Sequence, residues 1–108
     1  MEQRRTRRFS LRLPLAITRT GTSRVTQSGV TRNISSGGVL FTSDLEPDVG
    51  GTLEYVITLS SQKEHPVSLR CMGKVVRSEK LNPEIANGSG SFAVAVTLER
   101  YEFLRTDH

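Results

Sequence analysis

Large apolar side chains recur at every second position over several stretches of this chain. Leu11, Leu13, Leu15 and Ile17 alternate with Arg12, Pro14, Ala16 and Thr18, and the same period returns in Leu53, Tyr55, Ile57 and Leu59 and in Val67, Leu69 and Cys71. A last run, Phe92-Ala93-Val94-Ala95-Val96-Thr97-Leu98, alternates large and small side chains. Successive side chains of an extended chain point to opposite faces, so each stretch predicts a strand with one apolar face. The β-branched content agrees.

Turn-forming residues separate these runs: Ser36-Gly37-Gly38, Pro47-Asp48-Val49-Gly50-Gly51, and Asn82-Pro83 through Asn87-Gly88-Ser89-Gly90. Short strands punctuated in this way predict an all-β antiparallel barrel or sandwich. Closure into a barrel would remove strand edges open to aggregation. Only Glu99 to Arg105 reads as helical, with Tyr101 and Leu104 three apart, and so short a helix must dock on the sheet to persist. Residues 1–10 carry no core-forming pattern and are expected to form a mobile arm. The expected organisation is an arginine-rich arm over 1–12 and a barrel over 13–108.

Size is consistent with one domain, since domains cluster near ~100–150 residues and this chain has 108. The net charge is +4, and its location matters more than its size. Arg4, Arg5, Arg7, Arg8 and Arg12 stand within the first twelve residues. Removing those five from the 15 basic residues and Glu2 from the 11 acidic ones leaves ten against ten. The body is neutral and the arm is cationic, which favours an anionic partner.

Cys71 is the single cysteine, so no internal disulfide forms, and its place in an apolar alternation marks it as a packing residue. Leu11-Arg12-Leu13-Pro14-Leu15 interrupts any signal-peptide core, and no apolar run is long enough to span a membrane. The expected location is cytoplasmic. His65 and His108 lack metal-ligand company, so no metal site is expected. No acid–base or nucleophile constellation, phosphate-cradling loop or dinucleotide fingerprint is present, so neither catalysis nor a cofactor is expected.

Two features carry candidate chemistry. Arg7-Arg8-Phe9-Ser10-Leu11-Arg12 sets arginines where the arm meets the first strand. A guanidinium bonds phosphate in bidentate fashion, reads the O6/N7 edge of guanine in the same way, and stacks on a base. Asn33-Ile34-Ser35-Ser36-Gly37-Gly38 brings two short polar side chains to one side of an extended segment. Their oxygens suit the N1–H and N2–H₂ donors of guanine, and a following glycine permits positive φ and close approach of a ligand. Taken singly, the first also reads as a solvated tail and the second as an Asx turn before a strand.

Together, and in this order, the two features resemble the PilZ family, whose signature is RxxxR followed after one hairpin by [D/N]xSxxG. Arg8 and Arg12 match the first element with Arg7 just upstream, and Asn33, Ser35 and Gly38 match the second. The likeness extends through the Leu13-to-Asn33 hairpin, the Gly73-Lys74-Val75-Val76-Arg77 strand and the Phe92-to-Leu98 strand. It implies a six-stranded antiparallel barrel with a C-terminal helix, here shorter than is usual. It also implies a bacterial receptor for the second messenger cyclic di-GMP that passes its signal to a protein partner.

On that resemblance, Arg8 and Arg12 bind guanine edges and phosphates, Asn33 and Ser35 hold a guanine, and Gly38 completes the turn. In the family, an arginine at the position of Arg7 accompanies two stacked ligands per domain. Many members carry Asp where this chain has Asn33, so the acceptor here is neutral. Two other readings remain: a PilZ-like adaptor that binds no ligand, and a nucleic-acid binder using its basic arm. The second is disfavoured by the lack of tryptophan and of aromatic residues spared from strand and helix faces.

Overall fold

The computed structural model describes residues 11–60, 66–82 and 90–105. Among these residues seven strands form: β1 (Pro14–Thr20), β2 (Ser23–Ser35), β3 (Gly38–Ser43), β4 (Thr52–Ser60), β5 (Val67–Lys80), β6 (Phe92–Thr97) and β7 (Arg100–Arg105). The order across the sheet is β4-β1-β2-β3-β6-β5-β7, and a further β4–β5 pairing closes the first six strands into an antiparallel barrel. The all-β reading and the six-stranded barrel hold. The alternation is the cause: Leu15 and Ile17 of β1, Leu53, Tyr55 and Ile57 of β4, and Val94 and Val96 of β6 all turn inward and are buried. Val39 and Phe41 of β3 and Cys71 and Val75 of β5 complete this core.

Closure depends on the length of β5. Its first half pairs with β4 on one side and β7 on the other, and its second half pairs with β6. β6 and β7 therefore lie end to end along one edge of β5, separated by Leu98 and Glu99.

The expected C-terminal helix is replaced by β7, and among the described residues there is no helix. The reason lies in what β6 leaves uncovered. Residues 67–72 of β5 present an open ladder, and residues 100–105 fill it in unbroken register. Arg70 falls opposite Glu102 and forms an ion pair with it. A two-turn helix is marginal by itself, whereas the strand satisfies backbone groups that would otherwise face water. The spacing of Tyr101 and Leu104 was a coincidence of a strand whose two faces are both partly apolar.

The expected mobile arm over residues 1–10, with Arg7 and Arg8, lies outside the described residues, as do His65 and His108. Among the described residues no helix is long and apolar enough to cross a membrane.

Candidate functional site

Whether Asn33 and Ser35 face solvent or core is decided by one residue of β2. Thr31 pairs with Phe41 of β3, but the next pair is Asn33 with Leu40, so Arg32 is the extra residue of a bulge. Thr31 is buried. With strict alternation Asn33 and Ser35 would follow it inward. The bulge reverses that parity. Ile34, opposite buried Val39, packs against the core instead, while Asn33 and Ser35 turn to the outer surface.

A second bulge does the same on the far side. In β5, Val75 pairs with Val96 and Arg77 with Ala95, leaving Val76 as the extra residue. Val75 stays in the core, Arg77 swings outward, and Val76 itself is 59% exposed. The outward positions then line up across four strands: Asn33 of β2, Leu40 of β3, Ala95 of β6 and Arg77 of β5. The next row holds Ser35, Gly38 and Thr97.

Between the bulges runs a shallow groove of about 300 Å³, lined by Asn33, Ser35, Gly38, Val76, Arg77 and Thr97 among others. Three strand spacings separate its two polar walls, a width of about 14 Å. Its floor is made by Leu40 and Ala95 in one row and Gly38 and Thr97 in the next, and is lowest where Ala95 and Gly38 carry little or no side chain. Gly38 is required by close packing: a Cβ there would sit 2.8 Å from the carbonyl oxygen of Val96. The expectation of positive φ is corrected, since among the described residues the left-handed glycines are Gly21, Gly50 and Gly90.

Ser35 organises the turn beside the groove. Its Oγ accepts from the Gly37 N–H and donates to the Gly38 carbonyl, each at 3.3 Å. Asn33 is also engaged within the folded chain, so a ligand bonding to either residue exchanges partners with the protein.

Thr31 ties the arm's exit to this surface. Its hydroxyl accepts from the Leu13 N–H at 2.8 Å and donates to the Leu11 carbonyl at 2.5 Å. Arg12 sits between those two anchored residues and is exposed, on the β1 side of β2 beside the Arg32 bulge. It does not line the groove, which opens on the β3 side. The structure thus brings Asn33, Ser35 and Gly38 together, sets Arg12 on the adjoining strand edge, and leaves Arg7 and Arg8 outside the described residues.

Electrostatically the surface suits an anion. Among the described residues Arg77 is the charged one that lines the groove, and no carboxylate does. Among the described residues Arg12, Arg32 and Arg77 take part in no salt bridge.

The buried titratable groups serve packing. Burial drives the Tyr55 hydroxyl far above its ordinary pKa, with Cys71 and Glu99 adding to the shift. The same hydroxyl donates to the Thr97 carbonyl at 2.9 Å. Burial pushes the Cys71 thiol up to about 12, so no thiolate is available at neutral pH. Among the described residues no three metal-ligating side chains cluster.

Arg77, Val76 and Thr97 escaped the reading of the sequence as site residues. Their proximity to Asn33 depends on β6 inserting between β3 and β5, which chain order does not announce. One signal was present: Val75-Val76 sets two apolar residues side by side, as a bulge can, although Cys71-Met72 does the same in regular register.

The family model of the PilZ domain matches residues 2–97. Comparison with curated proteins and with solved structures returns no match.

Proposed function

Because the chain belongs to the PilZ domain family, whose members are binding and adaptor domains, we propose that it is a receptor for cyclic di-GMP. The observation that carries this reading is the pair of bulges, which turns Asn33, Ser35 and Arg77 outward around one shallow groove. Cyclic di-GMP has two guanines and two phosphodiester charges. A guanine lying in the groove offers its N1–H and N2–H₂ donors to Asn33 and Ser35, and Gly38 and Ala95 let its ring approach the sheet. Arg77 faces it from the opposite wall.

Arg12, with Arg7 and Arg8, supplies the phosphate and guanine-edge contacts from the arm. Arginine is suited to both because its planar fork makes paired bonds to either acceptor set. Two stacked ligands carry four phosphate charges, and the added cation of Arg7 supports a ratio of two per chain. Bound ligand gives these arginines fixed partners, so the arm closes over the site and presents an altered surface to a downstream protein. The neutral body and cationic arm are consistent with a small dianion bound beside the exit of the arm.

Base selectivity tests the placement of Asn33. Asn33→Ala is expected to weaken cyclic di-GMP by about 0.5–1.5 kcal/mol, the usual scale of a neutral hydrogen bond. Cyclic di-AMP, which lacks those two donors, should be affected less. Asn33→Asp should bind cyclic di-GMP at least as tightly, because a charged acceptor strengthens the same bonds. Competition binding with both nucleotides reads the result, and equal losses for the two would contradict the assignment.

A further inference from the structure

The outer surface of β1 and β4 gathers arginines around one carboxylate. The pairing of β1 with β2 breaks after Ile17, and where it resumes Arg19 falls directly opposite Arg24. On its other side Arg19 lies opposite Glu54 of β4. Glu54 stands between buried Leu53 and Tyr55 and therefore faces outward, and residues directly opposite share a face. Arg19 and Arg24 thus meet as like charges across one strand pair, which is unfavourable by itself.

Glu54 fixes two of the cations. Its Oε1 lies 3.6 Å from the Arg19 Nε, and its Oε2 lies 3.9 Å from the Nε of Arg70, an outward residue of β5. The Thr18 hydroxyl donates to the same Oε1 at 3.1 Å. With its oxygens engaged in this way the Glu54 side chain is 17% exposed, whereas those of Arg19 and Arg70 are 40% and 48% exposed. Arg19 is held through Nε, which leaves its terminal nitrogens for another acceptor. Arg70 gives one terminal nitrogen to Glu102 and keeps the other. Arg24 is exposed and, among the described residues, takes part in no salt bridge.

These three arginines, Glu54 and the hydroxyls of Thr18 and Thr26 line one open cavity of about 530 Å³, with Val56 and Leu104 among its apolar lining. It shares no residue with the groove, and Glu102 stands outside it. Three cations against one carboxylate leave its wall with a surplus of two positive charges.

We propose that this cavity is an anion site separate from the groove, built for a phosphate monoester group. Such a group is a dianion near neutral pH and balances that surplus. Its oxygens allow Arg19 and Arg24 to make paired bonds to one anion, which turns their repulsion into a bridge. A carboxylate, with one charge and two oxygens, satisfies a single guanidinium fork. A phosphodiester has one charge and two free oxygens, so the cavity discriminates against the kind of phosphate that a cyclic dinucleotide carries. The monoester can belong to a soluble metabolite or to a lipid headgroup, since the cavity is open to both.

Titration of inorganic phosphate into the isotope-labelled protein, at constant ionic strength balanced with chloride, tests this through the arginine Nε–H resonances. Saturable shifts at Arg19 and Arg24 are expected, with dimethyl phosphate, a diester, giving much smaller ones. Arg24→Gln should weaken phosphate binding roughly tenfold or more, the effect of losing hydrogen bonds to a charged group. In phosphate-free buffer that variant should melt no lower than the unaltered protein, because a like-charge contact has been removed. Glu54→Gln separates a built site from loose charge. It makes the cavity more positive yet releases Arg19 and Arg70, so phosphate should bind more weakly. Competition by glycerol phosphate alone would identify a soluble ester as the source, and competition by phosphatidic acid vesicles as well would identify a headgroup. Shifts that do not saturate, an equal response to dimethyl phosphate, a lower melting point for Arg24→Gln, or tighter binding by Glu54→Gln overturns the proposal. None of these positions lies in the groove or the arm, so the outcome is independent of cyclic di-GMP binding.

Discussion

Replacing Arg12 with alanine is expected to weaken cyclic di-GMP binding by roughly 1.5–3 kcal/mol, about one to two orders of magnitude in Kd. That is the scale of hydrogen bonds to a charged group, the role proposed for Arg12. It is exposed, and among the described residues it takes part in no salt bridge, so little in the folded protein competes for it. For the same reason stability should change by no more than about 0.5 kcal/mol. Arg12→Lys keeps the charge but loses the planar fork, and should recover only part of the affinity.

Thr31→Val provides an internal check. It removes the hydroxyl that anchors Leu11 and Leu13, so Arg12 loses its fixed position and binding weakens although no ligand contact has been deleted. Combined with Arg12→Ala it should add little further loss, because both act through one guanidinium. Calorimetric titration of the variants reads affinity, and urea unfolding reads stability. Unchanged binding by Arg12→Ala would remove the arm from the account, and an unfolded Arg12→Ala protein would mean that the arm belongs to the core.

Gly73→Ala is expected to destabilise the barrel by at least about 4 kcal/mol, beyond the range of ordinary substitutions. A Cβ on Gly73 would fall 1.7 Å from the carbonyl oxygen of Thr97, inside any contact distance. The obstructing group is firmly held. Its oxygen accepts from the Tyr55 hydroxyl, while the Thr97 hydroxyl accepts from the Lys74 N–H at 2.8 Å and donates to Glu99 at 2.9 Å. Relief requires β6 to move away from β5, breaking these bonds where β6 hands over to β7.

A domain of this size is stable by only about 5–15 kcal/mol in total, so the variant should be close to unfolding. Since Thr97 also lines the groove, any surviving folded fraction should bind ligand poorly. Gly37→Ala is the control: among the described residues nothing lies within 4 Å of a Cβ there and its φ is not left-handed, so its effect should stay within about 0.5 kcal/mol. Urea midpoints at constant m-value measure both. A Gly73→Ala protein within about 1 kcal/mol of the unaltered one would show that the β5–β6 approach is looser than described.

What could be read from the sequence was whatever the core imposes with a regular period. Leu53, Tyr55 and Ile57 alternate because one face of β4 is buried along its length, and no knowledge of neighbouring strands was needed to see it. Asn33 and Ser35 were legible as a pair because i and i+2 share a face of any strand. Which face they share was not, since it is set by a bulge at Arg32 that depends on pairing with β3. Arg77 was hidden twice over, by the bulge at Val76 and by a sheet order that places β6 between β3 and β5. The C-terminal segment was misread because local spacing carries no information about the open half of β5 that recruits it.

The measurement closest to the central claim is a calorimetric titration of cyclic di-GMP into the unaltered protein, with GTP and a short oligonucleotide titrated in parallel. Saturable binding of cyclic di-GMP at two molecules per chain, with no comparable binding of either control, is the predicted result. No saturable binding of cyclic di-GMP, or binding of the oligonucleotide as tightly, would contradict it.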